Sequence, residues 1–186
     1  MKDKQHTAWH VIEQTTLTDA SPWLKVIQEH IQLPNGVEIP DYFRILMPDY
    51  VMIFALTPEQ QVVTVSHYKH GPQVVSLELP AGYIDPNDSD PLATAKRELQ
   101  EETGMVSNTW RILGRFFIDG NRGCGWMHGF LAQNATLQHS QTLEKTELLT
   151  MQLIPLNELK ALWLEGKVQN VAASALIGMA LARLNY

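Results

Sequence analysis

A chain of 186 residues is long enough to bury one sizeable core and short for two independent domains. With 45% hydrophobic and 18% charged residues it has a soluble globular composition, and no apolar run reaches the length that crosses a bilayer. A formal net charge of −6 without a Lys/Arg cluster argues against a protein that grips nucleic acid through its phosphates, and a single cysteine, Cys124, excludes an internal disulfide. The polar start MKDKQHTAWH lacks the apolar stretch of a signal peptide, so the expected location is cytoplasmic.

Residues 1–50 mix β-type runs such as Trp23 to Leu33 with turn signals at Pro34-Asn35-Gly36 and Pro40-Asp41, which predicts an appendage of short strands. The main domain is expected over residues 51–186. It begins with VMIFAL, QVVTVSHY and VVSLEL, three apolar and β-branched runs separated by Thr57-Pro58-Glu59 and Gly71-Pro72, read as strands. Asp90 predicts a helix cap, Pro91 the first helical residue and Gly104 the stop. Further strands are expected at Trp110 to Ile118, Met127 to Ala132 and Leu148 to Ile154, with closing helices at Leu156 to Leu164 and Val171 to Arg183. This order predicts an α/β fold, a mixed sheet between helices with a strand-rich N-terminal appendage.

The helix opening at Pro91 carries Glu98, Glu101 and Glu102, like charges at spacings that weaken a helix. At about 100° per residue, Glu98 and Glu102 lie roughly 40° apart and Glu101 roughly 60° from Glu98, so three carboxylates share one face. Leu92, Ala95 and Leu99 form an apolar stripe about a quarter turn away. Only Arg97 faces Glu101 at ion-pair spacing, so this is a poor design for a solvated charged surface. Oxygen ligands at this density suit Mg²⁺, with Mn²⁺ as the alternative, and the cation cancels the repulsion.

The segment Arg97-Glu98-Leu99-Gln100-Glu101-Glu102-Thr103-Gly104-Met105 resembles the second half of the Nudix hydrolase signature, G-x5-E-x7-R-E-U-x-E-E-x-G-U with U a bulky apolar residue, at every fixed position. The first half departs from it. Fourteen residues separate Gly82 from Arg97, one more than the pattern has, and the usual glutamate is represented only by Asp88, Ser89 or Asp90. The entry Leu77-Glu78-Leu79-Pro80-Ala81-Gly82 and the exit Ile154-Pro155-Leu156-Asn157-Glu158-Leu159 are similar to the members that cleave ADP-ribose and other nucleoside diphosphate sugars, so the likeness covers roughly residues 42–180.

The resemblance implies Mg²⁺-dependent hydrolysis of such a diphosphate to a nucleoside monophosphate and a sugar phosphate. It implies Glu98 and Glu102 as direct metal ligands, Glu101 as a ligand or the holder of a bound water, the Ala81 carbonyl as a further donor, and Arg97 as the partner that fixes Glu101. An acid on the loop before the exit is implied as general base. Glu147 stands eight residues before Pro155 and is favoured there, also as a metal ligand, with Glu144 three residues earlier and Glu101 as alternatives.

Arg44 and Lys69 are candidates to hold phosphate or sugar, with solvated surface cations as the equal reading. Trp23, Tyr42 or Trp126 are candidates to stack on the base, although burial is the commoner fate of tryptophan. Glu78, inside the entry motif, is included among the expected substrate contacts. His67, His70 and Cys124 are read as ordinary surface or structural residues. Members tuned narrowly to ADP-ribose carry a proline after the signature, and none stands here between Pro91 and Pro155, so a broader nucleoside diphosphate sugar specificity is expected. Similar appendages cross between subunits, which implies a homodimer through residues 1–50. The rival readings are a nucleotide-sugar sensor without catalysis and a sanitising nucleoside triphosphate pyrophosphohydrolase.

Overall fold

A computed structural model describes residues 8–85 and 87–186. Its chain divides into two compact units, Met1–Pro48 with Phe117–Trp126, and Asp49–Phe116 with Met127–Tyr186. The smaller unit's first stretch ends at Pro48, where the expected appendage runs over 1–50, and the unit also takes in Phe117–Trp126; residues 1–7 lie outside the described residues. Among the described residues no helix is long and apolar enough to cross a membrane.

The smaller unit is an antiparallel meander of β1 (His10–Ala20), β2 (Leu24–Gln32) and β3 (Glu38–Leu46). The Asn35-Gly36 turn forms as expected, with Gly36 at φ 87 and the Asn35 side chain accepting from the Val37 N–H at 3.1 Å. Two expectations need correction. The strands are not short, running eleven, nine and nine residues, because the polar stretch His10–Ala20 pairs along its whole length with β2. Pro40-Asp41 is no turn: it lies inside β3, where the register with β2 shifts between Glu29 and Ile31 and the bulge accommodates a residue that cannot donate. Ile27 and Ile31 are buried on β2, flanking a buried Glu29 that pairs with Arg44 on β3 at 3.0 Å.

The chain continues with β4 (Tyr50–Leu56), β5 (Gln61–Lys69), β6 (Val74–Glu78), β7 (Ala81–Tyr83), α1 (Pro91–Thr103), β8 (Met105–Val106), β9 (Thr109–Asp119), β10 (Gly123–Gln133), β11 (Thr136–Leu137), β12 (Leu149–Pro155), α2 (Leu156–Leu164) and α3 (Val171–Arg183), all in the larger unit except the end of β9 and the start of β10. The central order is β10-β4-β5-β12, with β9 on β10, β7 on β4 and β6 on β5; β8 and β11 form a separate ribbon. Strands β4 and β10 run parallel, and β5 is antiparallel to both β4 and β12. Cys124 lies at the start of β10, where Gly123, Cys124 and Gly125 all have positive φ.

Alternation along VMIFAL explains the layers. Val51, Ile53 and Ala55 pack with Ala95 and Leu99 of α1, whereas Met52, Phe54 and Leu56 pack with Leu156 and Leu159 of α2 and with Leu176 and Ile177 of α3. A strand covered on both faces reads as a continuous apolar run, which is what the sequence shows. Burying a side chain such as Leu99 contributes about 1.5–3 kcal/mol. The apolar stripe thus holds α1 on the sheet and offsets part of the cost of burying carboxylates on its other face.

Candidate active site

The site lies where the sheet of the larger unit parts. The second half of β4 pairs with β5, through Ala55 and Val63 and through Leu56 and Val62, but its first half pairs with β7, through Tyr50 and Tyr83, Val51 and Gly82, and Met52 and Ala81. Strand β5 is carried on by β6 instead. Residues Glu78 to Ala81 cross the gap, anchored by the Ile53 N–H donating to the Pro80 carbonyl at 2.9 Å. Helix α1 packs beneath, capped as the sequence predicts: Asp90 accepts from the Ala93 N–H at 2.9 Å, and Gly104 is left-handed at φ 71.

On this helix Glu98 is 8% and Glu102 6% exposed, while the Glu101 side chain is 40% exposed. Glu102 accepts a hydrogen bond from the Ala81 N–H at 3.0 Å. A Cβ on Gly82 would stand 2.1 Å from the carboxyl carbon of Glu98, so any larger residue there would displace that carboxylate. Arg97 Nη1 lies 2.8 Å from Glu98 Oε1 and 2.9 Å from Glu101 Oε2, and its Nη2 lies 3.1 Å from Asp88 Oδ2. The pairing with Glu101 agrees with the expectation; the contacts with Glu98 and Asp88 add to it. Thr94 Oγ1 also donates to Asp88 at 2.8 Å. Of the three residues offered for the missing loop glutamate, Asp88 engages the arginine and Asp90 caps the helix.

Burial pushes the Glu102 carboxyl up to about 8; the Ala81 N–H works against that, and the Glu98 and Glu147 charges add to it. Burial likewise raises Glu98, opposed by Arg97. Asp88 is held below the ordinary carboxylate range, mainly by its hydrogen bond from Arg97. Among the described residues no three His, Cys, Asp or Glu side chains are already gathered as a metal cage. The donors at hand are nonetheless oxygens alone, and two of them are buried carboxylates that resist ionising beside each other, a set that fits a hard divalent cation.

Glu144 and Glu147 flank a turn before β12. The Glu147 carboxylate accepts from the Glu144 N–H at 2.8 Å, and the Glu147 N–H donates to the Glu144 carbonyl at 3.0 Å. Glu147 is half-buried and its charge acts on Glu98 and Glu102; Glu144 is exposed. Of the two, Glu147 is the one whose charge reaches the carboxylate face.

Glu78, expected among the substrate contacts, is 6% exposed and engaged at both oxygens, by Lys69 Nζ at 3.1 Å and by the Asn170 side-chain amide at 3.2 Å. His67 Nε2 lies 3.8 Å from the same carboxylate, a partner in keeping with its structural reading. Trp23, Tyr42, Arg44 and Trp126 all belong to the smaller unit. There Arg44 is tied to Glu29, Tyr42 donates to the Asn121 carbonyl and meets Trp9 edge-on, and Trp126 packs edge-on against Phe117. Sequence reasoning missed Asn170; the available signal was an asparagine immediately before the apolar run of α3.

The profile of the NUDIX domain matches residues 47–174. The chain is 26% identical over 131 residues, 70% of each chain, to the ADP-ribose pyrophosphatase of Bacillus subtilis (strain 168). It is 28% identical over 159 residues, 86% of this chain and 75% of the relative, to the CMP-5'-(N-acetyl-N-hydroxy-3-aminopropyl)phosphonate hydrolase of Streptomyces rubellomurinus. A crystal structure of an ADP compounds hydrolase superposes with a TM-score of 0.83 at 19% identity, covering 96% of this chain and 95% of that one, a likeness of fold. The signature on α1, the parted sheet above it and the match across most of the chain establish that this protein belongs to the Nudix family of hydrolases.

Proposed function

We propose that the protein hydrolyses the diphosphate of nucleoside diphosphate sugars, ADP-ribose among them, to a nucleoside monophosphate and a sugar phosphate. The observation that carries this reading is the buried pair Glu98 and Glu102 under Gly82, bonded by Ala81 and steered by Arg97. The names of the two relatives support the substrate class, since one is a pyrophosphatase of ADP-ribose and the other a hydrolase of a CMP conjugate.

Glu98 and Glu102 are the residues that would hold Mg²⁺ or Mn²⁺, with Glu101 and the Ala81 carbonyl at the edge of the shell. When bound, the cation neutralises charge growing on the phosphate oxygens and lowers the pKa of water. Arg97 fixes the rotamers of Glu98 and Glu101, so that both carboxylates present the same oxygens at each turnover. Lys69 offers an ammonium to the diphosphate, and Glu147 orients the attacking water and accepts its proton. A panel of nucleoside diphosphate sugars and nucleoside triphosphates with Mg²⁺, its products separated by chromatography, tests the proposal. The expected result is monophosphate plus sugar phosphate; pyrophosphate released from triphosphates alone would overturn it.

The proposal extends to a homodimer through the smaller unit. Among the described residues strand β1 pairs with β2 alone; it is exposed along its length and shows Val11, Ile12 and Leu17 to solvent, an edge suited to pairing with a second copy. Sedimentation velocity at micromolar concentration is expected to give a dimer, and Val11→Lys with Leu17→Lys a monomer. A wild-type monomer would sink this part.

A further inference from the structure

Behind the carboxylate face stands a second cluster, built on Glu78. This residue ends β6, and three positions later the chain delivers the Ala81 N–H to Glu102. Its Oε2 lies 3.1 Å from Lys69 Nζ, while its Oε1 accepts from Asn170 Nδ2, ninety-two positions away in the sequence, at 3.2 Å. Asn170 has a second task, since its side-chain oxygen accepts from the Ala173 N–H at 3.1 Å and caps α3.

A buried carboxylate with both oxygens bonded cannot rotate without abandoning a partner. A lysine ammonium on its four-carbon stem is otherwise free to swing. The amide that fixes the Glu78 carboxylate therefore fixes the ammonium bonded to it. The place of that ammonium matters, because the Lys69 charge acts on Glu102, one of the two buried carboxylates of the face.

We infer that Asn170 is a positioning residue: through Glu78 it holds the Lys69 ammonium beside the carboxylate face, where that ammonium meets the phosphate oxygens of the substrate. The inference rests on the hydrolysis proposed above. The plainer reading, that Asn170 only caps α3, is separated from it by Asn170→Ser. Serine keeps an oxygen for the Ala173 N–H, so the cap survives, but it carries no second group to reach Glu78.

With ADP-ribose and Mg²⁺, Asn170→Ser is expected to lower kcat/KM about tenfold, chiefly through KM, while the melting temperature falls only by the loss of the Glu78 contact, since the cap of α3 persists. In a Lys69→Met background the same substitution is expected to add nothing, because its route is already cut. A readout independent of turnover is the acetylation of Lys69 by limiting acetic anhydride, measured by peptide mass spectrometry against the exposed Lys96. Loosening Lys69 is expected to raise that ratio several-fold in Asn170→Ser. An unchanged ratio, or full additivity of the two substitutions, would overturn the inference. A wild-type protein that cleaves no nucleoside diphosphate sugar would overturn the functional proposal instead, and the acetylation ratio would still decide whether Asn170 holds Lys69.

Discussion

Replacing Glu102 with glutamine is expected to lower turnover about a thousandfold, a loss of about 4 kcal/mol of transition-state stabilisation, while making the metal-free protein more stable. The two signs have one cause. Burial raises the Glu102 carboxyl from 4.5 to about 8, so the folded state prefers it protonated. Its contribution to stability is then full below about pH 4.5 and is lost as pH rises through about 8. Glutamine keeps an oxygen for the Ala81 N–H and has no charge to desolvate, so it removes that loss along with the ligand. Thermal unfolding in chelator from pH 5 to 8.5 should fall less steeply for Glu102→Gln than for wild type, and Mg²⁺ should raise the wild-type midpoint most at the alkaline end. Near-normal turnover in the variant would show that the cation is held elsewhere.

The second large effect is expected at Glu147, where glutamine should lower kcat about a hundredfold with KM little changed. The glutamine oxygen can still accept from the Glu144 N–H, so the turn before β12 persists and the loss falls on proton transfer. Glu144→Gln is the matched control. Its side chain is exposed, and its ties to the turn run through its backbone N–H and carbonyl, so steady-state rates within about twofold of wild type are expected. A severe Glu144→Gln with a mild Glu147→Gln would move the role three residues upstream, and mild effects in both would turn attention to Glu101.

Much of this could be read from the sequence because the informative signals are local. The Asp90 cap, Pro91 and Gly104 mark the ends of α1, and the 3.6-residue period places Glu98 and Glu102 together without any knowledge of the sheet. What escaped was set by long-range geometry. Pro40-Asp41 carries a turn signal, yet pairing with β2 kept it in a strand at the cost of a bulge. Asp88, Ser89 and Asp90 were equivalent on paper until Arg97 took Asp88 and the helix took Asp90. No spacing rule could bring Asn170 to Glu78, because only the folded chain sets the cap of α3 beside the end of β6.

The Asp88–Arg97 pair bears on how such chains are found. An extra loop residue lengthens the reach of the backbone by at most about 3.5 Å, and aspartate gives back roughly 1.5 Å of side chain relative to glutamate. Here the longer loop and the shorter acid still end with a carboxylate oxygen 3.1 Å from the guanidinium. What the guanidinium requires is a carboxylate at bonding distance in space, for which a fixed residue count is only a proxy. Search patterns that let loop length and acid length vary together, one rising as the other falls, would recover chains that a rigid string of letters discards.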